Sequence, residues 1–175
     1  NIAKPFGVHH LMTIVIGQSL VNLFRASGYR VIAADWPGDM GTQFGNLIYA
    51  YKTWGDRKQI EKDPITELLK LYIKFHSEVE QDPTLEEKGR AEYKKLEEKD
   101  PENLEIWKWI VVKSMKEADQ IYATLGVKHD WRKGENVYIA PAQKLLEKFK
   151  IERKIIEGEK GAYIIKLEDE GLPDL

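Results

Sequence analysis

The chain has 175 residues, 42% of them hydrophobic and 32% charged, a composition typical of a soluble globular protein with one hydrophobic core. Its formal net charge is only −2, so no overall basic field indicates nucleic-acid binding. The absence of cysteine excludes disulfides, thiolate nucleophiles and zinc-thiolate sites, and the apolar runs are too short for a membrane span. We therefore expect a cytoplasmic protein with no membrane partner. Because the sequence does not begin with methionine, we expect a fragment.

The first 55 residues predict the order helix, strand, helix. Apolar residues recur at helical spacing from Leu11, and Gly28 follows where a C-cap would stand, which predicts a helix over 11–28. The next segment, YRVIAAD, is short and β-branched, which predicts a buried strand. A glycine-rich turn and a second helical pattern around Phe44 follow it. This order is typical of a parallel α/β unit, so we expect the first helix to pack on the sheet, with its first turn facing a cleft.

The segment from Asp56 to Gly126 is rich in Glu, Lys and Leu and predicts three amphipathic helices. An Asp-Pro pair marks each predicted start, at residues 63–64, 82–83 and 100–101. An aspartate can accept hydrogen bonds from first-turn amides, and a proline is tolerated in the first turn. Beyond these helices, VKHDW predicts a strand, APAQKLLEKFK a helix, and residues 151–169 a hairpin around 158–161.

Two adjacent histidines, His9 and His10, stand where the first helical pattern begins, and two interpretations of them are open. An imidazole at this place can satisfy an unpaired backbone amide of the helix start. Alternatively, the free amides and the dipole of a helix start attract an anionic phosphate, to which an imidazole can also donate. In that case Gly7 would let a nucleotide approach the backbone closely. Neighbouring helical residues face different directions, so we expect no metal site at the pair.

The chain resembles one protein family along its whole length. NIAKPFGVHHLMTIVIGQSLVNLFRASGYRVI and GDMGTQFGNLI are similar to the start of the catalytic domain of class I arginyl-tRNA synthetases, where Asn-Ile-Ala-Lys-Pro leads into a HIGH-type signature. The resemblance continues through LLKLYIKFHSEVEQDP, KKLEEKDPENLEIWKW, IYATLGVKHDW and GLPDL. It implies an α/β fold in which residues 1–55 form part of a Rossmann-type (HUP-like) parallel-sheet unit. Residues 56–175 would be a connective insertion, mostly helical to about residue 125 and then α+β.

The resemblance also implies an activity. The full protein would be an arginine-tRNA ligase, in which ATP activates L-arginine to arginyl-adenylate and the arginyl group passes to tRNA(Arg) in translation. ATP would be a substrate, accompanied by Mg²⁺, and no tightly bound cofactor is implied. The alternative is a degenerate, non-catalytic synthetase-like module that binds a nucleotide or a protein. The sequence contains no Lys-Met-Ser-Lys-Ser-like stretch, so we expect this chain alone to be inactive.

The HIGH-type signature is altered in this chain. The family reads His-Val-Gly-His where this chain reads Gly-Val-His-His, so His10 matches the second histidine and Gly7 replaces the first. His9 replaces the family's glycine, where it either supplies the missing imidazole or obstructs the adenine pocket. Met12 stands in place of the usual arginine and Met40 in place of the usual tryptophan.

The resemblance implies three groups of site residues and no metal ligands. The catalytic residues are His10, His9 and Lys4. The residues implied to bind arginine are Asn1, Asp35, Glu135 and Gln43. The residues implied to bind ATP are Gly7, His10, Gly38 and Asp39. A carboxylate suits the arginine group because it accepts the paired donors of a guanidinium.

Overall fold

A computed structural model describes residues 2–152, 154–158 and 163–165. The chain divides into two compact units, Asn1–Glu135 and Asn136–Leu175. The elements of the first unit are α1 (Val8–Ala26), β1 (Ala34–Asp35), α2 (Thr42–Trp54), α3 (Arg57–Lys62), α4 (Pro64–Gln81), α5 (Thr84–Glu97), α6 (Pro101–Thr124) and β2 (Trp131–Arg132). A 3-10 turn, Glu135–Tyr138, follows them. The elements of the second unit are α7 (Ile139–Ile151), β3 (Ile155–Glu157) and β4 (Tyr163–Ile165).

The core of the first unit lies where α2 packs against α4, α5 and α6. Its fully buried side chains include Phe44 and Ile48 from α2, Leu68 and Phe75 from α4, and Ile110 from α6. A large apolar side chain contributes roughly 1.5 to 3 kcal/mol when it is fully buried, so this cluster is the main source of stability in the unit. It fixes α6 relative to α2, and a hydrogen bond from Trp107 Nε1 to the Asp39 carbonyl joins α6 to the loop that precedes α2.

A buried polar cluster also joins α2, α5 and α6. The Lys52 ammonium donates to Asn103 Oδ1 at 2.6 Å, to Glu92 Oε2 at 3.0 Å and to Glu102 Oε2 at 2.7 Å. The fully buried Asn103 donates to the carbonyl and to the carboxylate of Glu92. Burial alone would raise the pKa of Glu92, but hydrogen bonds from Lys95, Lys52 and Asn103 outweigh it and lower the pKa to about 2. Glu92 is therefore a charged group within the helical core.

The three Asp-Pro pairs mark helix starts, as predicted. Asp63 accepts from the Thr66 amide at the start of α4, and Asp100 accepts from the Asn103 amide at the start of α6. The third helix, α5, begins one residue after its Asp-Pro pair, at Thr84. The prediction of only three helices in this segment is wrong, because the short helix α3 precedes them. Asp56 caps α3 by accepting from two backbone amides.

The parallel α/β character is confirmed, but the sheet is smaller than predicted. β1 and β2 pair in parallel over two residues each, Ala34 with Trp131 and Asp35 with Arg132. Residues 29–33 form no strand. Within the described ranges β1 pairs with β2, and β2 begins at Trp131, whose partner is Ala34. Both predicted strand segments therefore contain a strand only at their C-terminal ends.

Helix α1 forms as predicted, but its packing differs from the prediction. It begins three residues early, at Val8, and ends before Gly28, whose positive φ of 85° is the left-handed conformation of a C-cap glycine. None of its residues is buried, and several of its large apolar side chains, Leu20 and Leu23 among them, are exposed. The prediction that α1 packs on a sheet is therefore wrong for the part of the chain that the structure describes, whose parallel strands have only two residues each.

In the second unit the predicted helix and strand pairing are both present. α7 spans the segment APAQKLLEKFK, and β3 and β4 pair in antiparallel fashion, with Ile156 opposite Ile164. The turn predicted at 158–161 lies mostly outside the described residues. Among the helices that the structure describes, none combines the length and the apolar character needed to cross a membrane.

Candidate active site

A cavity of about 680 Å³ lies between the start of α1, the loop after β1 and one face of α6. Its volume is in the range of small-molecule sites. The charged and titratable side chains that line it are Lys4, His9, His10, Asp35, Glu117 and Tyr122. The prediction that the first turn of α1 faces a cleft is confirmed.

The hydrogen bonds of His10 define which of its ring nitrogens can donate. The backbone amide of Gly7 donates to His10 Nδ1 at 2.9 Å, and Gly7 is the N-cap residue of α1. Partial burial and the nearby cationic groups, among them His9 and Lys4, lower the pKa of His10, so its imidazole is neutral at pH 7. A neutral imidazole that accepts through Nδ1 carries its proton on Nε2. His10 thus caps the helix start with one nitrogen and keeps one donor for a ligand.

Gly7 and His9 are coupled sterically. A Cβ at Gly7 would lie 2.8 Å from His9 Cε1, which is closer than real contacts allow. The His9 ring also lies against the His10 ring, with their centroids 3.9 Å apart. An imidazole at position 9 in this rotamer therefore requires glycine at position 7. Gly7 itself is not among the described residues that line the cavity.

The segment before α1 is held in an unusual conformation. Ala3 is buried and has a positive φ of 63°, which is unfavourable for a residue with a Cβ. The Ile2 amide donates to the Gly38 carbonyl at 3.1 Å and joins this segment to the loop after β1. Lys4 lines the cavity, and its ammonium lies 4.5 Å from the centroid of the Tyr72 ring. Such strain is common at functional sites, where the surrounding structure maintains it.

The carboxylate of Asp35 is already paired within the protein. Its Oδ2 accepts from Arg132 Nε at 2.6 Å, and its Oδ1 accepts from the Tyr122 hydroxyl at 3.4 Å. Arg132 also donates to Asp119 at 2.7 Å. Burial together with the Asp35 charge raises the pKa of Tyr122 to about 12. The parallel pairing of β1 with β2 brings Asp35 and Arg132 together, and nothing in the local sequence around either residue indicates this.

Of the other residues implied to bind substrates, some line the cavity and others do not. Gly38 lines it, whereas Gln43 lines a small neighbouring cavity together with Lys4. Asp39 is buried, and its carbonyl accepts from Trp107 Nε1 at 2.6 Å. Asn1 lies outside the described residues.

Glu135 is held near the same loop through its backbone and its neighbour Gly134. The Glu135 amide donates to the Pro37 carbonyl at 3.3 Å. A Cβ built on Gly134 would overlap the Asp39 carboxylate, so glycine permits this close approach. Glu135 is not among the described residues that line the cavity.

Among the polar residues of the cavity that sequence reasoning missed are Ser114 and Glu117, both on α6. Ser114 and Glu117 line it one helical turn apart, together with Ala118 and Ile121. These spacings of three, four and seven residues define one helix face, which the amphipathic pattern could have identified. The pattern does not reveal that this face meets the start of α1.

Comparisons with known proteins identify relatives along the whole chain. The family model described as tRNA synthetases class I (R), catalytic domain, matches residues 1–173. Arginine-tRNA ligase 2 of Bacillus anthracis is 46% identical over 99% of this chain and 31% of its own length. The arginine-tRNA ligase of Exiguobacterium sp. is 44% identical over 99% of this chain and 31% of its own length. The chain therefore spans about a third of the length of these relatives.

A solved structure has the same fold. The crystal structure of arginyl-tRNA synthetase from Plasmodium falciparum matches with a TM-score of 0.71 over 95% of this chain and 28% of that chain. The two sequences are 24% identical, so this likeness concerns the fold alone.

Proposed function

This chain belongs to the catalytic-domain family of the arginine-type class I tRNA synthetases, and on that premise we propose that it forms the ATP- and arginine-binding part of an arginine-tRNA ligase. The main observation in support is the cavity at the start of α1, where the neutral His10, Lys4 and two carboxylates meet. Such a lining offers donors to phosphates and acceptors to a cationic amino acid.

The proposed reaction has two steps. A carboxylate oxygen of L-arginine attacks the α-phosphorus of ATP, and pyrophosphate leaves to give arginyl-adenylate. A ribose hydroxyl at the 3′ end of tRNA(Arg) then attacks the arginyl carbonyl carbon, and AMP leaves. No covalent enzyme intermediate is required, so the protein acts by positioning the reactants and by stabilising the charge that develops on the phosphate.

The chain's own residues would serve the first step as follows. His10 Nε2 would donate to a phosphate oxygen, and Lys4 would supply positive charge nearby. His9, Gly7, Gly38 and Asp39 would contact or shape the nucleotide site. Mg²⁺ would enter with the ATP phosphates as part of the substrate.

We propose that Asp35, Gln43, Glu135 and Asn1 contribute to arginine binding. Asp35 is the one described member of this group that lines the cavity, and its carboxylate is engaged by Arg132. We also retain the division of the chain into residues 1–55, as part of the catalytic domain, and 56–175, as the connective insertion. An arginine-tRNA ligase works in translation, and we therefore propose a cytoplasmic location.

Isothermal titration of the 175-residue chain with Mg·ATP, and separately with L-arginine, tests the proposal. We expect saturable binding of each ligand, because the phosphate donors and the carboxylates both lie in the described cavity. L-Aspartate is a suitable control ligand, since an acidic side chain would be repelled by those carboxylates. An absence of binding by both ATP and L-arginine would contradict the proposal and favour the non-catalytic alternative.

A further inference from the structure

The ammonium group of Lys4 has an aromatic ring as its partner. Lys4 Nζ lies 4.5 Å from the centroid of the Tyr72 ring, which is within the range of a cation–π contact. Among the residues that the structure describes, the Lys4 side chain forms no ion pair and no hydrogen bond. In this part of the chain it is therefore the Tyr72 ring that holds the ammonium in place.

The Lys4 side chain needs such a partner to have a defined position. The backbone just before it is fixed, since Ala3 is buried and the Ile2 amide donates to the Gly38 carbonyl. The lysine side chain, however, is a flexible four-carbon stem, and ordering it costs conformational entropy. A fixed backbone alone therefore does not determine where the ammonium lies.

Tyr72 is presented by a helix that belongs to the core. α4 buries Leu68 and Phe75, on either side of Tyr72 in the sequence, and α2 packs against this helix. A ring on such an element can hold a neighbouring group more precisely than a loop residue can. The Tyr72 hydroxyl forms no hydrogen bond within the described ranges, so the contact with Lys4 depends on the ring and not on the hydroxyl.

An aromatic ring can position a cation without cancelling its charge. A carboxylate partner would balance the ammonium, as Glu92 and Glu102 balance Lys52 in the helical core. A ring attracts the cation through its quadrupole, but it has no net charge and accepts no conventional hydrogen bond from the three N–H donors. Lys4 lines the cavity and thus keeps its positive charge and its donors for an anion there.

We propose that Tyr72 is a positioning residue, which holds the Lys4 ammonium in place for the phosphates of ATP through the face of its ring. The inference rests on the proposed function, which assigns Lys4 to the nucleotide. Lys4 lies in the segment 1–55 and Tyr72 in the segment 56–175. The contact would therefore make the segment assigned to the connective insertion a part of the nucleotide site.

Isothermal titration with Mg·ATP tests the role of the ring. Tyr72→Leu keeps an apolar side chain but removes the ring, so we expect Mg·ATP to bind about 2- to 5-fold more weakly, the effect of losing a partly exposed cation–π contact. Tyr72→Phe keeps the ring and should bind Mg·ATP like the unmodified chain. Tyr49→Leu is the matched control, because it removes a ring that lies 6.0 Å from the Lys88 ammonium and outside the cavity. It should leave the affinity unchanged.

The same substitution in a Lys4→Gln background separates positioning from a general structural effect. Lys4→Gln should itself weaken Mg·ATP binding, and with the ammonium gone Tyr72→Leu should cause no further loss. A merely structural role of Tyr72 would produce the same loss in both backgrounds. NMR gives a second measurement that needs no nucleotide. The ring current of residue 72 should shift the Lys4 ε-methylene protons upfield in the unmodified chain and in Tyr72→Phe, but not in Tyr72→Leu.

The outcomes separate this inference from the proposed function. The inference is wrong if Tyr72→Leu binds Mg·ATP as well as the unmodified chain, if Tyr72→Phe loses as much affinity as Tyr72→Leu, or if the loss persists without the Lys4 ammonium. It is also wrong if the Lys4 signals show no ring-current shift. If the unmodified chain binds neither Mg·ATP nor L-arginine, the proposed function fails, and the role given to Lys4 fails with it even where NMR shows the contact. Circular dichroism of each variant excludes misfolding as the cause of a lost affinity.

Discussion

At the scale of single residues, the histidine pair can be separated by mutation. His10→Ala removes the Nε2 donor as well as the acceptor for the Gly7 amide, so we expect Mg·ATP binding to weaken by roughly 1.5 to 3 kcal/mol. His9→Gly should leave binding unchanged or improve it, since a glycine lets adenine approach the backbone. Isothermal titration measures both effects, and His76→Ala, an exposed histidine of α4, is the matched control.

The double variant Gly7→His with His9→Gly restores the family's order and tests the steric coupling between these positions. Gly7→His alone should force the exposed His9 ring out of its present rotamer, because its Cβ would collide with that ring, and the added His9→Gly should remove that collision. If His9→Gly alone abolishes nucleotide binding while His10→Ala does not, His9 supplies the phosphate-binding imidazole and our alignment of the signature is wrong.

Five of the residues that the resemblance implies line the cavity, namely Lys4, His9, His10, Asp35 and Gly38. Lys4, His9 and His10 lie within a few residues of a helix start that is recognisable from its apolar periodicity, and the structure places all three on the cavity. Arg132 and Glu117 reach the same cavity region through the pairing of β1 with β2 and through helix packing. Such long-range contacts leave no local periodic signal, which is why both residues were missed.

At the scale of the elements, two glycines allow α2 and α5 to pack closely. A Cβ on Gly45 would overlap the Gly89 carbonyl, and a Cβ on Gly89 would overlap the Asn46 side chain. Gly45→Ala should lower the free energy of unfolding by about 1 to 3 kcal/mol, because the Gly89 carbonyl belongs to a helix backbone that cannot yield without cost. Gly89→Ala should lower it by less, because the Asn46 side chain can rotate away from the new methyl group. Urea denaturation monitored by circular dichroism measures the change.

Gly17→Ala is the control for these two substitutions. Gly17 lies in the middle of α1, and a Cβ there would meet nothing within 4 Å. Alanine should therefore raise the helical stability at this position by up to about 1 kcal/mol, through propensity alone. Equal effects of all three substitutions would contradict the steric explanation.

The acid stability of the helical core should depend on Glu92. The pKa of Glu92 falls from 4.5 to about 2 in the folded protein. As the pH decreases, the Glu92 carboxylate therefore takes up a proton in the unfolded chain before it does so in the folded protein. The stabilisation, roughly 3 kcal/mol at most, is fully present above about pH 5 and is lost as the pH falls towards 2. Urea titrations between pH 7 and pH 3 should show a smaller pH dependence for Glu92→Gln than for the unmodified chain.

Glu86→Gln is the corresponding control on α5, because the Glu86 side chain is 56% exposed and forms an ion pair with the exposed Arg90 at 3.4 Å. It should leave the pH dependence almost unchanged, as exposed ion pairs contribute little. If the two variants lose stability equally on acidification, the polar cluster around Lys52 is not the cause of the pH dependence of stability.

The helices were more predictable than the strands, for physical reasons. An Asp-Pro pair contains its own capping acceptor and first-turn proline, so the starts of α4 and α6 follow from neighbouring residues. A strand depends on hydrogen bonds to a distant partner, and the segment predicted from Tyr29 onwards becomes a strand only at Ala34, where β2 pairs with it. The burial of α1 likewise depends on a partner surface, which its own periodicity cannot supply.

At the scale of the whole molecule, the binding of substrates and the complete reaction should be separable. We expect the purified 175-residue chain to bind Mg·ATP but to form no measurable arginyl-tRNA. The resemblance assigns a second catalytic lysine to a Lys-Met-Ser-Lys-Ser-like stretch, and the sequence contains none. Without that charge, much of the electrostatic stabilisation of the adenylation transition state is missing, and loss of one such group typically costs a factor of about 100 to 1,000 in rate.

Two assays check this expectation at different steps. Arginine-dependent exchange of labelled pyrophosphate into ATP reports adenylate formation, and acid-precipitable labelled arginine reports transfer to tRNA. Both should remain at background for the chain alone, even at concentrations where titration shows that Mg·ATP is bound. Strong charging of tRNA by these 175 residues would mean that His10, Lys4 and the cavity carboxylates are sufficient for catalysis, and that positioning within this one cavity supplies the stabilisation that we assign to a second lysine.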